Sequence, residues 1–328
     1  MNKSRLSVVA TRKLPALVEK RMSELFEFTG RQNNDPMSRK ELITKLKTID
    51  VLVPSLGDKI NHEILNNAGP KLKLIANYGA GFDHIDVKAA ITKGITVTNT
   101  PDVISSDTAD LTMALILGVH RRIFEGAKIL ASGSWKGWSP TALLGQRIAG
   151  RKLGILGMGR IGQAVAERAN SFGLSINYHN RRRLHNEIET RLRATYWQNL
   201  EEMLRNIDIL TIHVPHTPST FHLINERRLK LLSSDCFVIN TARGEIIDEN
   251  ALTRMLRSNE LSGAGLDVYE NAMSINPRLK ALKNVMLLPH MGSATYESRI
   301  EMGEKVIINI KTFHDGHYPP NQVLPNMI

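Results

Sequence analysis

Three glycines near the middle of the chain have the spacing of a turn that binds dinucleotides. Gly157, Gly159 and Gly162 follow an apolar run at 153–156 and precede an alanine-rich stretch at 164–169. In such a strand–turn–helix, the first glycine permits the tight turn and the second lets a pyrophosphate approach the backbone. The third lets the helix pack close to the strand. The helix N-terminus presents free N–H groups and a positive dipole end to the phosphates, so the pattern predicts nucleotide binding.

Three further residues that could do chemistry stand where apolar, strand-like runs end. These are Arg243, Asp267 and His290. In an open parallel sheet, ligands bind at the carboxyl ends of the strands, so one shared site is expected. A guanidinium fork suits a carboxylate and the neighbouring carbonyl, and an imidazolium can protonate that carbonyl oxygen as a hydride reaches carbon. The pattern predicts reduction of a small 2-oxoacid.

The residues beyond the glycine turn bear on the choice of cofactor. Sites that prefer NAD place an Asp or Glu about 20 residues after the glycines, where it bonds the ribose 2′-OH. Here the strand-like run at 175–178 leads into Asn180, Arg181, Arg182 and Arg183, without a carboxylate. Guanidinium groups favour a 2′-phosphate. We therefore expect NADP(H) to be preferred, with NAD(H) possible.

These residues need elements that position them, and the apolar pattern supplies alternating strands and helices. The predicted strands cover 6–10, 51–54, 72–77, 95–99, 153–156, 175–178, 209–214, 236–240, 264–268 and 285–288. Alternation of this kind predicts parallel sheets covered on both faces. The apolar pattern over 105–132 predicts one long buried helix. The turn begins near residue 152, so one α/β domain should precede it.

Composition narrows the class of protein. The chain has 328 residues, enough for about two domains, with ordinary hydrophobic (42%) and charged (23%) content. Its single cysteine, Cys236, fits a reducing compartment, and no apolar run reaches the roughly 18 residues of a membrane span. We therefore expect a cytoplasmic protein. The net charge of +11 would attract anionic ligands, but no basic run is interleaved with aromatics, which argues against nucleic-acid binding.

Eight stretches together resemble one family, the D-isomer-specific 2-hydroxyacid dehydrogenases, and in particular its glyoxylate/hydroxypyruvate reductase branch. The resemblance covers nearly the whole chain. The matching stretches are NYGAGFDHID (77–86), TNTPDVISSDTADLTMALIL (98–117), WKGWSP (135–140), GILGMGRIG (154–162), HVPHTPST (213–220), INTARGEIIDENAL (239–252), GAGLDVYE (263–270) and PHMGSAT (289–295).

The resemblance implies an α/β architecture of two Rossmann-like domains with a cleft between them. A flavodoxin-like substrate domain would comprise residues 1–100 and 291–328, and a dinucleotide-binding domain would comprise residues 101–290. It also implies a homodimer and reduction of glyoxylate or hydroxypyruvate. No metal site is predicted.

The resemblance also assigns roles to individual residues. Arg243 would bind the substrate, and His290 would be the acid/base residue. The loop Tyr78, Gly79, Ala80 and Gly81 would hold the substrate carboxylate through backbone N–H groups. The cofactor-binding residues expected from the motifs and the resemblance together are Thr108, Gly157, Gly159, Arg160, Ile161, Gly162, Asn180, Arg181, Arg182, Pro215, Thr241, Ala242, Asp267, His290 and Gly292.

The chain departs from the family pattern at two places. The family has a glutamate that pairs with the acid/base histidine, and Ala272 occupies that position here; Glu270 lies two residues earlier and is expected to point elsewhere. Ala142 replaces a tryptophan frequent in this branch, while Trp138 remains. Two alternatives stay open: another D-2-hydroxyacid or formate dehydrogenase, and, because Ala272 replaces the paired glutamate, a catalytically weakened scaffold that senses nucleotides.

Overall fold

The chain forms two compact units, each built on a parallel sheet. The structure is a computed structural model and describes residues 5–327. One unit contains the described residues up to Ile104 together with those from Ala294 onward, and the other is Ser105–Ser293. Residues 1–4 and 328, which the expected substrate domain includes, lie outside the described residues.

The first unit has a five-stranded sheet of order β2-β1-β3-β4-β5, in which all neighbours are parallel. This is the flavodoxin-like strand order, and its topological switch point lies between β1 and β3. Its elements up to Ile104 are β1 (Ser7–Ala10), α1 (Ala16–Leu25), β2 (Glu27–Thr29), α2 (Arg39–Leu46), β3 (Val51–Val53), α3 (His62–Asn66), β4 (Leu74–Ala76), α4 (Val87–Thr92) and β5 (Thr96–Thr98).

The second unit has a seven-stranded parallel sheet of order β12-β11-β10-β9-β6-β7-β8. This is the doubly wound dinucleotide-binding order with one added strand, and its switch point lies between β6 and β9. Its elements are α5 (Ser105–His120), α6 (Ile123–Ala131), β6 (Lys152–Leu156), α7 (Arg160–Ser171), β7 (Ser175–His179), α8 (Asn186–Leu192), β8 (Ala194–Tyr196), α9 (Leu200–Arg205), β9 (Ile209–Ile212), α10 (Glu226–Leu229), β10 (Phe237–Asn240), α11 (Glu249–Arg257), β11 (Gly263–Leu266), α12 (Pro277–Lys280) and β12 (Val285–Leu287).

The last helix, α13 (Tyr296–His314), returns to the first unit. Short 3₁₀ turns lie at Gly244–Ile246 and Pro325–Met327. None of the helices formed by residues 5–327 combines the length and apolar character that a membrane-spanning segment requires.

Both faces of each sheet are buried under helices. In the first unit, Val8 and Val51 pack with α1 and α13 on one face, while Val9 and Leu52 pack with α2 on the other. The second unit repeats this arrangement, with α5 and α7 on one face and α9 and α11 on the other. Successive strand residues point to opposite faces, so strands covered on both sides are apolar throughout. The predicted parallel α/β fold is confirmed.

The predicted single helix over 105–132 is wrong, because the chain breaks between α5 and α6. Arg122 has a left-handed φ of 53°, which an α-helix cannot contain. The carbonyl of His120 accepts a hydrogen bond from the N–H of Gln146 (2.7 Å). The Arg122 guanidinium bonds both carboxylate oxygens of Glu125, at 2.8 and 2.9 Å. Apolar spacing continues through the break, which is why periodicity alone predicted one helix.

Candidate functional site

The glycine turn after β6 has the geometry that its spacing predicts. Gly157 has a φ of 98°, and a Cβ there would lie 2.8 Å from the carbonyl carbon of His213. A Cβ on Gly162 would collide with the carbonyl oxygen of Gly157. A Cβ on Gly159 would meet nothing within 4 Å, so the backbone there is open to a ligand. No side chain caps α7, whose first residues are Arg160 and Ile161. The turn fits a dinucleotide pyrophosphate.

Asn180 braces this turn. Its Oδ1 accepts a hydrogen bond from the N–H of Met158 (2.7 Å), and the N–H of Gly157 bonds the carbonyl of His179 at 3.1 Å. The side chain predicted to contact cofactor is thus held against the glycine backbone. Nearby, burial lowers the pKa of His213 to about 3, so this imidazole is neutral.

The three arginines after Asn180 are not equivalent. Arg183 is paired with Glu189, whose carboxylate lies 2.7 Å from the guanidinium Nη2. Glu189 also accepts a hydrogen bond from the Tyr178 hydroxyl (2.5 Å), and burial raises the pKa of that hydroxyl to about 12. Arg181 and Arg182 are exposed. Arg183 is thus bound to a buried carboxylate, whereas within residues 5–327 neither Arg181 nor Arg182 has an acidic partner.

The turn after β10 fixes the backbone of Arg243. The side chain of Asn240 accepts from the N–H of Ala242 (3.0 Å) and donates to the carbonyl of Arg243 (2.8 Å). The hydroxyl of Thr241 lies 3.0 Å from that of Thr112 on α5. A Cβ on Gly244 would overlap the Tyr269–Glu270 peptide. Only glycine therefore fits at the position that follows Arg243.

Asp267 holds the loop that carries His290. Its carboxylate accepts hydrogen bonds from the N–H groups of Met291 and Gly292, both at 2.8 Å, and its carbonyl accepts from the N–H of His290 at 2.9 Å. Burial raises the pKa of Asp267, and these N–H groups oppose the shift. Thr108 donates to the carbonyl of Gly292 (3.2 Å). The structure therefore brings Thr108, Asp267, His290 and Gly292 together at one edge of the sheet.

His290 itself is exposed and has a left-handed φ of 55°. A non-glycine residue in that region is strained, and such strain is frequent at functional sites. Pro215 follows β9 and is also exposed; its carbonyl accepts from the Thr220 hydroxyl at 2.7 Å.

In the first unit, the loop after β4 carries the residues expected to bind a carboxylate. The N–H of Tyr78 is already bonded to the carbonyl of Pro54 (2.8 Å), and its hydroxyl donates to the carbonyl of Arg299. Burial raises the pKa of that hydroxyl to about 12. Tyr78 therefore anchors the loop. Within residues 5–327, the N–H groups of Gly79, Ala80 and Gly81 have no acceptor.

The carboxylate of Glu270 contacts His222, a partner that the sequence did not predict. Its Oε1 lies 2.9 Å from His222 Nε2 and accepts the N–H of Glu249 at 2.8 Å. Glu249 in turn accepts the N–H of Glu270 (3.1 Å). Ala272 lies in an exposed turn.

Sequence reasoning missed several residues that shape the site. They share one feature, a short polar side chain at or just after the end of an apolar strand, and Asn77 and Asn240 are examples. That feature was visible in the sequence. No comparable signal in the sequence indicated that Arg183 pairs with Glu189.

Comparisons with known proteins agree with this geometry. The family described as "D-isomer specific 2-hydroxyacid dehydrogenase, NAD binding domain" matches residues 113–292. A glyoxylate reductase of Thermococcus litoralis is 43% identical over 320 residues, which is 96% of each chain. Among solved structures, an NADPH-dependent glyoxylate/hydroxypyruvate reductase of Sinorhizobium meliloti, in complex with NADP and malonate, is 33% identical with a TM-score of 0.86. That match covers 98% of this chain and 97% of the other.

A glyoxylate reductase of Paecilomyes thermophila is 32% identical, covers both chains fully and also has a TM-score of 0.86. The family match spans more than half of the chain, and the relatives span nearly all of it. This chain belongs to the D-isomer-specific 2-hydroxyacid dehydrogenases, enzymes that use a nicotinamide dinucleotide.

Proposed function

We propose that this protein reduces glyoxylate or hydroxypyruvate to the corresponding 2-hydroxyacid. The observation that carries the proposal is the shared edge of one parallel sheet, where the glycine turn, Arg243 and the Asp267-held loop of His290 all follow strand ends. Relatives named glyoxylate reductase, which align over almost the whole chain, support the same substrate class.

Each residue has a separate task in this proposal. A bound nicotinamide dinucleotide supplies the hydride. The guanidinium of Arg243 orients the substrate and polarises its carbonyl, and the imidazolium of His290 donates a proton to the carbonyl oxygen. The free N–H groups after Tyr78 bind the substrate carboxylate. Gly157, Gly159 and Gly162 receive the pyrophosphate.

NADP(H) is the preferred cofactor in our proposal. Arg181 and Arg182 are exposed beside the glycine turn that Asn180 braces. No carboxylate occupies the position that would bond a ribose 2′-OH, and Glu189 is committed to Arg183 and Tyr178.

A second copy of this chain is the partner we propose. No side chain of α6 is buried, and Ile123, Phe124 and Leu130 are all exposed. The segment that follows exposes Trp135 and Trp138, the latter to 84%. So many large apolar side chains on one stretch mark an interaction surface. The family resemblance favours a homodimer.

The substrate assignment is tested by following NADPH oxidation against a panel of 2-oxoacids. We expect turnover with glyoxylate or hydroxypyruvate and a loss in kcat/KM of about a hundredfold or more in Arg243→Lys, because an ammonium cannot reproduce the planar fork. Arg254→Lys is the matched control, since Arg254 forms an exposed ion pair with Glu226 and follows none of the strand ends that make up the site. Near-normal turnover of Arg243→Lys would remove Arg243 from the mechanism.

Cofactor preference is tested by comparing kcat/KM for NADPH and NADH. We expect NADPH to be favoured, and Arg181→Ala to weaken NADPH alone by about tenfold or more, the value of a charge-assisted contact. Arg191→Ala, which removes an exposed arginine paired with Glu167, should change neither value. Equal use of both cofactors by the unmodified protein would contradict the proposal.

Ala272→Glu restores the carboxylate of the family pattern. A carboxylate beside an imidazole raises its pKa, and reduction needs the protonated form. We therefore expect the variant's reduction rate to persist to higher pH than that of the unmodified protein. Ala272→Gln controls for size without charge. Identical profiles of kcat/KM against pH for all three proteins would show that position 272 does not influence the proton donor.

The assembly is tested by light scattering. We expect a mass of twice the 36.7 kDa chain, and dissociation when Trp138→Asp introduces a charge into the exposed apolar stretch. Tyr318→Asp changes a similarly exposed aromatic outside that stretch and should leave the mass unchanged. A monomeric mass for the unmodified protein would refute the homodimer.

A further inference from the structure

Three carbonyl groups of the loop after β4 accept hydrogen bonds from two side-chain amides. Asn77 is fully buried, and its Nδ2 donates to the carbonyls of Gly79 (2.9 Å) and Gly81 (2.8 Å). The carbonyl between them, that of Ala80, accepts from Asn99 Nδ2 at 2.7 Å. Three successive carbonyls are therefore held by side chains of the same unit.

The direction of these carbonyls also determines the direction of the N–H groups in the same peptides. In a trans peptide, the C=O of one residue and the N–H of the next point in opposite directions, and the described chain has no cis peptide. Because these carbonyls point towards Asn77 and Asn99, the N–H groups of Ala80, Gly81 and Phe82 point away from the two amides. Within residues 5–327, none of these three N–H groups has an acceptor. Successive free N–H groups of this kind bind anions.

The orientation of the Asn77 amide is itself fixed. Its Oδ1 lies 3.1 Å from Nε2 of His84. An amide oxygen only accepts, so His84 Nε2 carries the proton in this contact. A flipped amide would place Oδ1 against two carbonyl oxygens and its NH₂ against a donor. The contact with His84 therefore keeps Nδ2 on the loop.

We propose that Asn77 and Asn99 are positioning residues that shape this loop into a carboxylate-binding site, and that the N–H of Phe82 is the last of its donors. The inference rests on the proposed function, in which the loop receives the carboxylate of the 2-oxoacid. It moves the donor set one residue along the chain, from Tyr78–Gly81 to Gly79–Phe82, because the N–H of Tyr78 is bonded to Pro54.

Asn77→Asp tests the proposal with a side chain of the same shape. A carboxylate cannot donate to the two carbonyls, and its charge would repel the substrate. Carboxylate binding is the same in ground and transition states, so we expect KM for glyoxylate to rise roughly 10- to 100-fold while kcat changes far less. The Kd for NADPH should stay unchanged. Asn61→Asp is the control, because it adds the same charge to the same unit at an N-cap where Asp serves equally well.

Oxalate binding to the NADPH complex, measured by fluorescence titration, separates this proposal from the proposed function. If glyoxylate is reduced and Asn77→Asp leaves both KM and oxalate affinity unchanged, the positioning role is overturned. If glyoxylate is not reduced but oxalate binds and Asn77→Asp abolishes that binding, the role stands and the proposed function fails. If oxalate and glyoxylate are both ignored by the unmodified protein, both fail. Should Asn77→Asp not fold, Asn99→Asp is judged by the same criteria, since Asn99 is only half-buried and its amide meets one carbonyl.

Discussion

The functional loops of this protein depend on one requirement: backbone groups that leave a parallel sheet must find new partners where the strands end. Four strand ends meet it with short amide or carboxylate side chains, namely Asn77, Asn180, Asn240 and Asp267. Each bonds backbone atoms of its own or a neighbouring loop. Short side chains of this kind reach such atoms without filling the space above the sheet. The loops are thereby fixed, and the edge stays open for a ligand.

Close approach of backbones imposes the second constraint. Gly244 leaves no space for a Cβ against the Tyr269–Glu270 peptide, so the turn of Arg243 rests directly on the loop that follows β11. That loop is held in turn by the reciprocal hydrogen bonds of Glu249 and Glu270. The backbone position of Arg243 therefore depends on residues distant in sequence. The peptide of Glu270 thus lies against the turn of Arg243, while its carboxylate contacts His222 and the N–H of Glu249.

The sequence predicted what apolar patterning and glycine spacing can encode. These two signals predicted the central strands and the glycine turn. They did not predict the edge strands β2 (EFT) and β8 (ATY), which are short and lack a continuous apolar run. The break between α5 and α6 was missed because Arg122 departs from helical φ without interrupting the apolar spacing. The sequence predicted Arg181–Arg183 as three equivalent basic residues. The structure distinguishes them, because Arg183 has a carboxylate partner in Glu189. Such pairings depend on where individual side chains lie, which apolar patterning and glycine spacing do not encode.

The environments of the histidines show how one residue type serves different purposes. Burial lowers the pKa of His120 to about 4 and that of His213 to about 3, so neither gains a proton near neutral pH. His120 instead contacts the carbonyl of Ile116 at 2.7 Å, a structural role in α5. His290 is different, since its side chain is exposed while its backbone is held by Asp267. The proton donor that we propose must be held in place and must be recharged from solvent in each cycle, and the fixed backbone and exposed ring of His290 are compatible with both requirements.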